Sequence, residues 1–235
     1  MERITNSLKN TARLAGLLYL VMGVTAAYGI IYVPTRIITR GDAAATLENL
    51  LAHEFLFRTG IISHLVSQTV FLFLALTLYR LFRKVDGFAA KAMIALVIVQ
   101  VPIGFIMESF NITSLMIAKG EVLSAFDPVK AQDWAMVFLS LNRHAVVPLE
   151  ILWGLWLIPL GQLVYKSDFM PRILGVLLMI GGAAYILDSL TFLLLPSYRT
   201  FVSRPAMAAF AIAEISTILW LLIKGVKEQQ QINEL

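Results

Sequence analysis

The chain has 235 residues, of which 59% are apolar and 14% charged, and its mean hydropathy is +0.79. Soluble domains carry roughly 25% charged residues, so these values exclude an ordinary soluble domain and point to an all-α, polytopic membrane protein. The net charge of +4 comes from basic residues that flank apolar runs, where they set topology, so the expected partner is the lipid bilayer and not nucleic acid. The absence of cysteine excludes disulfides, thiolate metal sites and thiol catalysis, and leaves His53, His64 and His144 as the histidines to weigh.

In chain order, Arg3, Lys9 and Arg13 precede an apolar run over 14–33. The run is too long for a signal-peptide core and is expected to be a retained first span that stops at Pro34. Gly41-Asp42 offers a turn and a helix N-cap. Ala43, Leu47, Leu50, Leu51 and Phe55 then recur at helical spacing opposite Thr46, Glu48, Asn49 and His53, predicting a short amphipathic extracytoplasmic helix with a solvated His53. Span two is predicted over 56–79 and span three over 92–118, the latter kinked near Pro102 and Gly104. Asp127-Pro128 reads as an N-cap followed by proline at the first helical position. Span four follows, its apolar part over 133–165. Span five covers 173–195 and span six 206–223, with a frayed polar tail over 224–235, all within a single membrane domain over 1–235.

Eleven Lys and Arg flank one set of span ends and seven the other, so both termini are expected in the cytoplasm of a bacterial cell whose cytoplasmic (inner) membrane holds the protein. No internal repeat of the inverted-transporter kind is visible. Gly154 and Gly161 on span four, and Gly175 and Gly182 on span five, read as sites of close helix approach, and Trp220 as an interfacial anchor.

Asn142-Arg143-His144, with Pro148 and Glu150 beyond, is the costliest insertion, because it sits inside an apolar run long enough to cross a bilayer. Other spans carry polar stripes at helical spacing: His64 and Gln68; Gln100, Gly104, Glu108 and Asn111; Gly181, Tyr185 and Asp188; Glu214 and Thr217. At 1.5 Å per residue, His64, Asp188, Glu214, Glu108 and His144 lie about 9–16 Å from the outer ends of their spans. The stripes therefore predict one outward-opening polar pocket. Glu108, Glu150, Asp188 and Glu214 cannot all stay ionised there unpaired, and Arg143 is the fixed positive charge beside them.

Three functions fit that pocket. In the first, Arg143 anchors a small anionic or hydroxylated ligand, with His144, Glu108, Asn111, Glu150, Asp188, Tyr185 and Glu214 around it and Trp153 and Trp156 lining the apolar remainder, and the protein binds or transports that ligand. In the second, His64, His144, Asp188 and Glu214 hold a divalent metal for intramembrane hydrolysis, or the two histidines ligate haem. In the third, the polar groups only lock helix packing. The residues name neither a substrate nor an oligomeric state.

Several stretches resemble a bacterial integral membrane family catalogued as domain of unknown function 4386. They are Ala12 to Tyr19, Gly41 to Gly60, Ala75 to Tyr79, Asp168 to Leu178 with Gly181 to Tyr185, Asp188-Ser189 and Pro196, and Trp220 to Gly225. The resemblance covers nearly the whole chain and implies a six-helix membrane protein of unestablished activity, with a histidine near 144 and an acidic residue near 214. His64 stands where the family pattern has an acidic residue, which weakens a shared two-histidine metal chemistry.

Overall fold

Alternation of long apolar runs with short polar connections leaves the backbone one way to satisfy its hydrogen bonds in lipid, which is helix within each run. The structure, a computed structural model, describes residues 2–122 and 127–226, and every regular element among them is helical. The order is α1 (Glu2–Ala27), a π-helical turn (Tyr28–Tyr32), α2 (Val33–Ile37), α3 (Ala43–Ala52), α4 (Glu54–Phe82), α5 (Gly87–Ala118), α6 (Pro128–Lys166), α7 (Arg172–Leu194), a 3-10 turn (Pro196–Tyr198) and α8 (Arg199–Ile223). Six stretches are long and apolar enough to cross a bilayer: Leu8–Ile37, Glu54–Phe82, Gly87–Ala118, Lys130–Lys166, Arg172–Leu194 and Pro196–Ile223. The protein is a multi-pass helical membrane protein. Lipid contact accounts for exposed side chains such as Leu17, Ile98, Leu187 and Ile215, which water would not tolerate in such number. From residue 227 onward the expected tail lies outside the described residues.

Three local expectations are corrected. Span one does not stop at Pro34: the Val33 N–H bonds to the Tyr28 carbonyl in π-helical spacing, and Pro34 follows in the first turn of α2, where its missing N–H is harmless. The amphipathic helix ends at Ala52, with its N-cap as expected from Asp42 Oδ1 accepting the Ala45 N–H. Its faces are rotated from the expected ones, because Thr46 is fully buried while Leu51 is 45% and Phe55, already in α4, 82% exposed. Thr46 turns inward because its hydroxyl ties the Thr39 amide and the Thr39 and Asp42 carbonyls across the turn at Gly41, whose φ of 78° suits glycine. Span six starts earlier than 206, since α8 runs from Arg199 through Pro205.

The chain divides into two compact units. Among the described residues, the first comprises the chain up to Leu20, Phe71–Val99 and the chain from Pro148 onward, and the second comprises Val21–Val70 and Gln100–Val147. In the first unit, α6 and α7 touch backbone to backbone. A Cβ at Gly161 would sit 2.7 Å from the Gly175 carbonyl oxygen, and one at Gly154 would strike that of Gly182. The four glycines do what their spacing predicts. α1 joins at Gly16, where a Cβ would meet Leu221 and Leu222 of α8 within 3.0 Å. The core of the second unit is built on Val33, Ile37, Leu47, Leu50, Phe57, Ile61 and Leu115 with Ala135 and Leu139 of α6.

Candidate functional site

The second unit contains a cavity of about 290 Å³ lined by Ile38, Thr46, Asp133, Met136, Val137, Leu139, Ser140 and Arg143. Asp133, Met136, Val137, Ser140 and Arg143 fall at i, i+3, i+4, i+7 and i+10, so one face of α6 forms a wall and the loop and turn over 38–46 form the other. Neither Arg143 nor Asp133 makes an ion pair among the described residues. Ser140 Oγ lies 3.1 Å from His144 Nδ1, which also lies 2.8 Å from the Ser140 carbonyl oxygen, so His144 is held one turn from the cavity wall. Asn142 leaves the cavity altogether and donates to the Met107 carbonyl at 2.7 Å.

The same unit buries a polar line between α4 and α5. His64 Nδ1 and Glu108 Oε1 are 2.5 Å apart with both residues at most 4% exposed, and Asn111 Nδ2 donates to Glu108 Oε2 at 2.8 Å. Gln68 Nε2 lies 3.0 Å from His64 Nε2. An amide nitrogen only donates, so as placed this contact makes His64 Nε2 the acceptor and puts the ring hydrogen on Nδ1, directed at the carboxylate.

The first unit treats its acids differently. Glu214 accepts from the Tyr19 hydroxyl at 2.8 Å through Oε2 and from the Tyr185 hydroxyl at 2.9 Å through Oε1. Tyr185 is stacked on Phe210 at 3.8 Å and meets Trp153 edge-on at 5.8 Å, while Tyr19 packs on Trp156. Asp188 accepts from Ser203 Oγ at 2.5 Å. Glu150 is half-buried, and the charges that reach it are Asp188 and Arg199.

The residues expected to share one pocket are divided between the two units. Arg143 reaches the cavity, with His144 beside its wall. Glu108 and Asn111 belong to the buried line in the second unit, whereas Glu150, Asp188, Tyr185 and Glu214 belong to the first unit. The four metal candidates divide likewise: His64 and His144 lie in the second unit, Asp188 and Glu214 in the first. Among the described residues no group of three or more His, Asp or Glu is arranged to hold a metal ion. Sequence reasoning missed Asp133 and Ser140, whose signal was their spacing of ten and three residues from Arg143 on one helix face. It also missed Tyr19, which scores as an apolar aromatic although its hydroxyl holds Glu214.

A relative described as an uncharacterized protein of Archaeoglobus fulgidus is 37% identical over 83 residues, which is 35% of this chain and 48% of the relative. The chain thus spans about half the length of this curated relative. No solved structure matches. The family model described as "Domain of unknown function (DUF4386)" matches residues 14–225, nearly all of the described chain, and its range takes in the cavity, the buried line and the tyrosine-held Glu214. The chain therefore belongs to the DUF4386 family.

Proposed function

We propose that the protein binds a small ligand bearing an anionic group in the Arg143 cavity, and that binding or transport of this ligand is its activity. The observation that carries the reading is the cavity itself, where Arg143 has no carboxylate counter-ion among the described residues. A guanidinium left without a partner in a membrane span is costly, and it is a ready fork for a carboxylate or phosphate. The four apolar wall residues, Ile38, Met136, Val137 and Leu139, suit the carbon body of such a ligand, and Asp133 offers a place for a positive or hydroxyl group on it. The cavity volume falls at the lower end of small-molecule sites, which favours a metabolite-sized ligand.

The test is thermal unfolding of the detergent-purified chain with phosphate monoesters, short carboxylates and zwitterionic amino acids at millimolar concentration. A bound member of the panel raises the melting temperature with concentration, as mass action requires. Arg143→Gln is expected to abolish that response while leaving the ligand-free melting temperature within the small range of surface substitutions. A response that survives Arg143→Gln, or none from any of the three classes, overturns the reading.

A further inference from the structure

The polar line between α4 and α5 ends on groups without partners. His64 and Gln68 are one turn apart on α4, and Gln100, Gly104, Glu108 and Asn111 share one face of α5. Two contacts set the register. His64 meets Glu108, and the Gln68 side chain lies against Gly104 so closely that a Cβ there would fall 2.6 Å from Gln68 Cδ. The helices therefore run antiparallel along this seam, and Gln100 is the next rung past Gln68.

Gln100 is fully buried, and neither its Oε1 nor its Nε2 has a hydrogen-bond partner among the described residues. Gln68 Oε1 stands in the same condition. A buried amide without a partner costs roughly 2–7 kcal/mol depending on the reference state, and surrounding lipid offers it nothing. The two side chains together present a donor and two acceptors, which matches the two to four hydrogen bonds of a buried water. Glu108 does not compete, since its oxygens are engaged by His64 and Asn111.

We infer that Gln68 and Gln100 hold bound water, which closes a hydrogen-bonded line from Gln100 through Gln68, His64 and Glu108 to Asn111. From Gln100 to Asn111 the helix rises about 16 Å, roughly half the ~30 Å hydrocarbon core. The line is a continuous polar seam over that depth. It does not rest on the Arg143 cavity.

Water-selective nuclear Overhauser spectroscopy of the full chain in micelles, with glutamine side-chain amides carrying 15N, tests it. Gln100→Met assigns the Gln100 amide by its disappearance, and Gln100→Asn serves if the first variant does not fold. Cross-peaks from a long-lived water to the Gln100 and Gln68 amide protons are expected, and their absence overturns the inference. Thermal unfolding gives a second reading. Losing a satisfied amide lowers the melting temperature of Gln100→Met by about 2–4 °C, whereas a rise, the result for an amide that was a bare cost, overturns it.

Discussion

Glu108 and Glu214 are the same residue type at comparable predicted depth, and the two units hold them in opposite ways. Glu214 receives two phenol hydroxyls whose rings are fixed by stacking on Phe210 and packing on Trp156, so its acceptors are filled by rigid neighbours. Glu108 faces an imidazole, and beyond that imidazole the buried Gln100 amide has no hydrogen-bond partner among the described residues. In the first unit Glu214 has both carboxylate oxygens filled, and α6 and α7 are locked at glycines. The second has capacity to spare, in Gln68, Gln100 and the Arg143 cavity. Saturated polar groups specify packing, while unsatisfied ones call for a ligand or water. The ligand proposed for the second unit rests on that difference.

The sharpest way to break this comparison is to remove one partner of the buried pair. His64→Leu leaves the buried Glu108 carboxyl with Asn111 alone, and a loss of about 1–3 kcal/mol is expected in reversible unfolding in detergent. His64→Leu with Glu108→Leu should recover most of that loss, and a single substitution costing under about 0.5 kcal/mol would show that Glu108 does not depend on the ring. In the first unit the corresponding weak point is steric. Gly154→Ala drives a methyl into the Gly182 carbonyl and should cost about 1–3 kcal/mol, without altering any ligand response of the second unit.

Tyr185→Phe keeps the ring on Phe210 and removes one of two donors to Glu214, so about 1 kcal/mol is expected. A loss of 3 kcal/mol or more would mean that Glu214 is not saturated, and would erase the contrast between the units. The smallest effect lies outside the spans. Lys166 donates to Asp86 at 2.6 Å, and with the Ala89 and Phe88 amides it holds the Asp86 carboxyl below the ordinary aspartate range. The unfolded chain then binds the proton first as pH falls, so the contribution of Asp86 is present above about pH 4 and is lost as pH drops through its lowered value. Asp86→Asn should flatten the acid limb of a stability profile below about pH 4 by a small amount, because solvent screens an exposed pair.

Much of the local structure was legible. The spans follow from run length, the α6–α7 contact from glycine spacing, and the shared faces of His64 with Gln68 and of Gln100 with Asn111 from the helical repeat. Pro34 misled because a proline after an apolar run reads as a stop, and a π-helical turn that lets the helix pass it has no sequence signature. Thr46 misled because its hydroxyl looks solvent-seeking, yet a tight turn supplies it with backbone partners. Equal depth along separate helices is only one coordinate of a site. The rotation of each helix about its axis decides which acids meet.

By itself the sequence determined that this is a six-span helical membrane protein of the DUF4386 family and which residues its membrane would find expensive, because burial cost and helical repeat act within each segment. Only the tertiary structure decided that the loop and turn over 38–46 close a cavity against the Arg143 face of α6, that His64 takes Glu108, and that Tyr19 and Tyr185 take Glu214. The three side-chain pairings join residues 29 to 195 positions apart. They depend on how whole helices rotate to fill their neighbours' grooves, a balance of packing over many side chains that no local pattern encodes.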